Sequence, residues 1–303
     1  YIGGKQQGLW TIYYKETGIK NEETNYIDGV QEGLWTEWFE DGQKRRERNF
    51  KNGERDSTWT TWYKNGNKKF LATYTNGKLN GKYTRWYEDG IIKELDGDYL
   101  NNKKHEKWVF WAKNGQKTEE INYNEGINDG SHIKWYGDKN DQHKSFHINY
   151  KNGQKNGDWH YWYASGVDSL KSNYVNGEKD GHWIWWRKNG LKDKEGFYKK
   201  EKKHGVWTVW NDSSGNAYHK LHEETFVNDI IDGRVTKWYK EGGLDRQGVM
   251  RGKEREGEWT YWERGGKRWL KFDYGDGLER VTLGEIEERD GITYKIGKYE
   301  PYI

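Results

Sequence analysis

The sequence repeats itself. Stretches such as "GLWTEWFEDG" (33–42), "STWTTWYKNG" (57–66), "GKYTRWYEDG" (81–90), "EKWVFWAKNG" (106–115), "GHWIWWRKNG" (181–190) and "GEWTYWERGG" (257–266) share two aromatics three apart and a following glycine turn. With the second aromatic as anchor, the series runs Tyr13, Trp38, Trp62, Trp86, Trp111, Trp135, Trp162, Trp186, Trp210, Trp238 and Trp262, eleven units at a period of about 24 residues. Another aromatic, most often tyrosine, stands twelve residues before most anchors, as Tyr26, Tyr74, Tyr99, Tyr150 and Tyr198 do. That half-unit keeps its length, so all drift falls between each anchor and the next tyrosine. A chain of this kind is expected to stack like units on one another, each burying its neighbour's face, with no single central core.

Turn signals settle the type of element. Asn-Gly or Asp-Gly recurs about twice per unit, as at Asn65-Gly66 and Asn76-Gly77. Such pairs tolerate positive φ and mark hairpin turns. The segments between them are only strand-long and rich in Trp, Tyr, Thr and Ile. Glycine every dozen residues leaves no room for helices of three turns. The expectation is an all-β fold: an elongated array of about eleven antiparallel β-hairpins in a single twisted sheet, solenoid-like, spanning residues 1–277 and on the order of 100 Å long. Residues 278–303 lack tryptophan and are predicted to form a C-terminal capping or docking hairpin around an Asp290-Gly291 turn. The first unit begins in register at Tyr1, which leads to the expectation of further chain upstream or a neighbour stacked on that end.

Composition agrees with a thin structure. Hydrophobic residues are only 32% and charged residues 33%, a balance that by itself leans towards disorder, yet 20 Trp and 23 Tyr supply large buriable surfaces. Strand parity puts Trp59, Thr61 and Tyr63 on one face of the sheet and Thr60 and Trp62 on the other. Both faces therefore carry aromatics, and interlocking packing is the expected role of the 18 tryptophans that fall in the two registers. The glycine two residues before the first Trp is expected to leave space for an aromatic from the next hairpin.

The pattern resembles the MORN repeat, most closely its bacterial YwqK-type variant, in "YTNGKLNGKYTRWYEDG" (74–90), "YVNGEKDGHWIWWRKNG" (174–190) and "YKNGQKNGDWHYWYASG" (150–166). The resemblance covers nearly the whole of 1–277. It implies a β-hairpin array used as a scaffold or protein-binding surface, with lipid binding in some members and no catalytic residue to carry over. This chain departs from the pattern in preferring Trp at the second aromatic position.

Two kinds of position depart from the repeat and are the candidate contact sites. Tyr161 and Trp185 stand one residue before the anchor, where other units hold Glu37, Thr61, Arg85 or Lys134. They are expected to be exposed and to meet a partner. The second kind are insertions, "GDKNDQHKSFH" (137–147) and "NDSSGNAYHKLHEET" (211–225), which lengthen the same half-unit and so are expected at one edge. They supply His143, His147, Tyr218, His219 and His222 as partner-binding candidates. The histidine spacings match no metal signature in a hairpin loop, so no metal site is expected.

Other chemistry finds no support in the residues. There is no cysteine, hence no disulfide or thiolate. No phosphate loop, nucleophile elbow or distinguishable carboxylate pair is present, and no cofactor is expected. The formal charge of +3 is nearly balanced, and the basic runs 43–49 and 199–205 are broken by glutamate, against nucleic acid as partner. No apolar run is long enough for a transmembrane span. The lysine- and asparagine-rich composition points to an AT-rich bacterial genome. The reading is a non-enzymatic scaffold that binds other protein subunits along one face or edge within a larger assembly. A glycan-binding module using Tyr161 and Trp185 is the alternative, and lipid-surface binding the third.

Overall fold

A computed structural model describes residues 1–137, 143–212 and 218–275, and the backbone of 280–289 and 292–300. The inserted residues 138–142 and 213–217 and the Asp290-Gly291 turn lie outside the described residues. The chain forms two compact units, Tyr1–Gln154 and Lys155–Ile303. No helix occurs among the described residues; each unit is antiparallel sheet throughout.

In the first unit successive strands pair in order, for instance Glu54–Trp62 with Lys68–Thr75, then Lys78–Trp86, Lys93–Leu100 and Lys103–Trp111. The second unit does the same from Gly157–Trp162 through Glu254–Trp262 to Arg268–Asp273. There Arg280–Arg289 and Ile292–Glu300 form a last hairpin paired onto Arg268–Asp273.

The two turns of each repeat differ in kind. Asn52-Gly53 has φ of 50° and 77° and Asn76-Gly77 49° and 75°, a two-residue turn with both residues left-handed. Asparagine and glycine are the residues that reach this conformation at least cost. The other turn follows the second Trp. There Gly66 N–H donates to the Tyr63 carbonyl and Tyr63 N–H to that of Asn67, and only Gly66 is left-handed. Hydrogen bonds tie both edges to the neighbouring hairpin. At the two-residue turns Gly77 N–H donates to Arg55 O at 2.8 Å and Gly177 N–H to Lys155 O at 2.8 Å. At the opposite edge the tyrosine after the second Trp donates its hydroxyl to the next unit's second Trp: Tyr14 to Trp38 O, Tyr63 to Trp86 O and Tyr163 to Trp186 O, each at 2.8 Å.

The two tryptophan registers are not equivalent. The first is the core: Trp35, Trp59, Trp108, Trp159, Trp183, Trp207 and Trp259 are all buried. The indole N–H groups of Trp59, Trp108, Trp183, Trp207 and Trp259 find backbone carbonyls ten residues back, as Trp108 does at Asp98 O (3.0 Å) and Trp207 at Phe197 O (3.0 Å), whereas Trp35 donates to the Glu22 carboxylate at 2.5 Å. The second register, on the opposite face, is half-buried. Lysines lie over its rings, Lys171 above Trp186 at 5.2 Å and Lys192 above Trp210 at 5.5 Å, each also paired to a carboxylate. That face carries cations, carboxylates and half-buried rings beside a row of buried threonines, Thr36, Thr60, Thr84, Thr208 and Thr236.

The expected role of the glycine before the first Trp is corrected. A Cβ built on Gly8, Gly33 or Gly257 meets nothing within 4 Å; at Gly81, Gly181 and Gly233 it would meet Thr73, Asn173 and Thr225 at 3.4, 3.4 and 3.0 Å, and only at Gly205 does it reach an aromatic, Phe197 at 3.8 Å. What these positions require is a left-handed φ, +61° at Gly257, where the long strand bulges. The space for the indole is made elsewhere. At Gly97, Gly196 and Gly248 a Cβ would sit 2.4, 2.2 and 2.2 Å from the rings of Trp108, Trp207 and Trp259. The indole lies flat on bare backbone there, and at the corresponding place below Tyr83 stands Ala72, fully buried.

Candidate interaction surface

On the face that holds the buried tryptophans, a second row runs alongside them. Its members follow from the pairing register of the second unit. Tyr161 faces Leu170, Leu170 faces Trp185, Trp185 faces Lys194, Lys194 faces Val209, and Val209 faces His222. Directly paired residues share a face, and neighbouring strands are about 4.8 Å apart. Tyr161 and Trp185 are thus two strands apart with Leu170 between them, a continuous apolar strip about 10 Å across. The residues before the anchor and their cross-strand partners form the row in every repeat; elsewhere in the chain it holds Glu37, Arg85 or Lys237.

The core row backs the strip. Tyr161 lies 6.3 Å from the ring of Trp159, and Trp185 lies 5.5 Å from Trp183 and 5.9 Å from Trp207. Tyr161 and Trp185, expected from their polar repeat position to be exposed, are consequently half-buried. Each ring packs against the core row. Lys194 Nζ stands 4.8 Å from the centre of the Trp185 ring. Beyond the core tryptophans comes a line of cations. Lys155 lies over Trp159 and Tyr174, Lys179 over Trp183 and Tyr198, and Lys203 over Trp207 and Phe226, at 4.6 to 5.6 Å. Their methylene stems cover ring surface while the ammonium groups face water. Rigid amphipathic rings, bordered by cations, are suited to contact with another macromolecule.

The insertion residues separate. His222 joins the strip at its far end, half-buried, with Glu224 at 3.9 Å and Lys237 directly paired. Burial first, then the positive charges of Lys237 and Lys203, push its pKa down, against the opposing pull of Glu224. Tyr218 and His219 lie at the turn edge. Tyr218 donates its hydroxyl to Lys192 O at 3.0 Å and stacks parallel to Trp210, with 37% of its surface exposed. His219 holds the turn: its amide donates to Asn211 Oδ1 at 3.1 Å, and its Nε2 lies 3.1 Å from Tyr239 O of the next hairpin. In the first unit His143 is exposed, its carbonyl accepting from Tyr136 N–H, and His147 Nε2 meets Ser131 Oγ at 2.9 Å. Each insertion follows the second Trp of its own hairpin, as expected. Among the described residues no group of three or more His, Asp and Glu could hold a metal ion. Among the described residues no helix is long and apolar enough to cross a membrane.

Leu170, Lys194 and Val209 were not among the residues singled out from sequence. They lie in the charged half of the repeat, where residue type varies. Pairing Tyr161 with Leu170 requires counting back from the turn across a bulge at Tyr161/Trp162. The signal is present only once that bulge is known.

No curated protein matches this chain. A family model does match, three times in succession within the first unit. The chain carries MORN repeat variants, at residues 31–52, 55–76 and 79–101.

Proposed function

We propose that the chain is a non-enzymatic scaffold of a bacterial assembly, and that it binds another protein through the strip of Tyr161, Leu170 and Trp185. Repeats of this type serve in general in protein and membrane-lipid interactions and are typically non-enzymatic. The observation that carries the reading is the unbroken pairing of Tyr161, Leu170 and Trp185 on one face, each half-buried against a rigid aromatic core. Preorganised rings lose little conformational entropy on binding, which is why aromatic anchors dominate protein interfaces. His222 and Lys194 extend the same row and supply polar contacts at its end. Tyr218, at the turn edge, offers a further ring.

The test places a photo-crosslinking amino acid at position 161 or 185, and at Lys171 on the opposite face as control, in the native host. Adducts with one defined protein from 161 and 185, absent from 171, are the expected result. Equal adducts from all three positions would sink the assignment of the face. A glycan array run on the same protein decides the second reading, in which Tyr161 and Trp185 stack on sugar rings. Selective hits lost on Trp185→Ala would favour the glycan over the protein.

A further inference from the structure

The first unit carries a different surface on the corresponding row. Here the pairing runs Glu37, Arg46, Thr61, Phe70, Arg85. Thr61 is the short member between two long neighbours, so a hollow opens above it. That hollow is part of an open groove of about 650 Å³, roomy enough for a few peptide residues. Phe70 and Tyr83 form one wall, edge to face at 5.0 Å. Phe39 and Tyr63 stand at the turn end. Phe39 occupies the place of the tyrosine whose hydroxyl, in Tyr63 and Tyr87, ties one turn to the next. Without that hydroxyl it makes no such bond to Trp62, and the edge tie is interrupted at the groove.

The electrostatics of the groove are one-sided. Arg45, Arg46, Lys64, Lys69 and Arg85 line it, against one lining carboxylate, Glu88. Arg45 and Arg46 share a single partner, Glu37, at 3.0 and 3.2 Å. Arg85 pairs with Glu94 at 2.9 Å. Lys64 and Lys69 have no ion pair among the described residues, and Lys69 Nζ rests 5.2 Å from the centre of the Tyr63 ring. Guanidinium forks and ammonium groups beside aromatic walls suit carboxylates and a ring presented together.

We propose that this groove binds an acidic peptide segment carrying an aromatic side chain, with the ring against Phe70 and Tyr83 and the carboxylates on Lys64, Lys69 and the arginines. The site is separate from the strip of Tyr161 and Trp185 and does not depend on it.

The test uses the full chain and fluorescence anisotropy. The probe is a fluorescein-labelled Glu-Asp-Tyr-Glu-Asp peptide, with Gln-Asn-Tyr-Gln-Asn as its uncharged counterpart. Two variants are compared with the wild type. Lys64→Glu/Lys69→Glu reverses the unpaired charge. Thr61→Trp fills the hollow, at a row position where the chain already accommodates Trp185. The acidic probe is expected to bind, the amide probe to bind at least about tenfold more weakly, and each variant to weaken the acidic probe by about tenfold or more. Binding is expected to survive Tyr161→Ala/Trp185→Ala, which separates this site from the strip. Circular dichroism identifies a variant that fails to fold, and the other then decides. Absence of binding in low-salt buffer, equal binding of both probes, or binding unchanged in the folded variants overturns the proposal. So does preferential binding of phosphatidylserine vesicles lost in the same variants, which assigns the groove to a lipid headgroup.

Discussion

The hydroxyl of Tyr87 donates to the backbone carbonyl of Trp111, 2.8 Å away and twenty-four residues on. The same bond joins Tyr14 to Trp38 and Tyr239 to Trp262, and Arg187 takes the tyrosine's place by donating to Trp210 O at 2.8 Å. It couples consecutive hairpins at the edge where the strand ladder has ended. Tyr87→Phe deletes the donor and keeps the ring. The expected loss is about 1 kcal/mol, read as a fall in denaturant midpoint. Phe39→Tyr is the converse change and is expected to raise the midpoint by a similar amount.

Gly196 and Trp207 define the second prediction. The indole rests on the glycine backbone, and a Cβ at Gly196 would come within 2.2 Å of it. Gly196→Ala must displace Trp207 or the strand beneath it, at about 1–3 kcal/mol. Gly257→Ala is the control. Its Cβ enters open space but its φ of +61° is unfavourable, so it costs about 1–2 kcal/mol through the backbone alone. Near-ultraviolet circular dichroism separates the two, since only Gly196→Ala moves a buried indole. A signal unchanged in Gly196→Ala would show that the contact is looser than the geometry requires.

These pairs also mark how far the sequence could be read. The repeat, the hairpins and the division of Trp59 and Trp62 between opposite faces follow from spacing and turn residues, which are the same in nearly every unit. The cradle under the indole does not. Its position is occupied by Thr24, Arg48, Ala72, Gly97, Ile121, Ser172 and Gly196 in different units, so no residue type announces it. Which tryptophan register is buried is equally silent, because both registers hold the same residue; the buried one is flanked by tyrosines of neighbouring strands, as Trp183 is by Tyr174 and Tyr198. Of the candidate surface, Tyr161, Trp185 and His222 were legible as departures from the repeat. Leu170 was not, because the bulge that sets it between them is a property of the pairing. His219, a partner-contact candidate by its place in an insertion, braces the turn through its bond to Asn211.

The carboxylates on the face of the second tryptophans predict acid sensitivity. Burial alone would push the Asp96 carboxyl up. Hydrogen bonds from Thr84 Oγ1 at 2.6 Å and Lys93 Nζ at 2.9 Å outweigh burial and hold it below its ordinary value. Glu120, held by Lys117 and Lys107, and Asp168, held by Lys171 and His160, are lowered in the same way against burial. A carboxyl whose folded pKa lies below its unfolded one contributes stability that is complete above the unfolded value, about pH 4. That contribution is lost as pH falls through the folded value. Melting temperature is therefore expected to drop steeply below about pH 4, and Asp96→Asn to lower it at neutral pH while flattening the acid limb. An acid limb identical to wild type would mean that Asp96 titrates alike in the folded and unfolded chain.

Trp183 and Trp185 are two residues apart on one strand face and are expected to do different work. Trp183 is 5% exposed, donates its indole N–H to Asn173 O at 3.2 Å, and is ringed by Tyr174 and Tyr198. Trp183→Ala removes a buried ring that the rest of the sheet cannot refill, at about 3–5 kcal/mol. In an array whose units depend on their neighbours, that loss is expected to open the adjoining hairpins first. Hydrogen exchange should locate it, with faster exchange spreading outwards from 168–186. Trp185 is half-buried. Trp185→Ala is expected to cost under about 2 kcal/mol and leave exchange in neighbouring hairpins near wild type, while abolishing the crosslinks made from position 161. If Trp185→Ala instead unfolds the hairpins as Trp183→Ala does, the row beside the core is structural and the strip is not the binding surface.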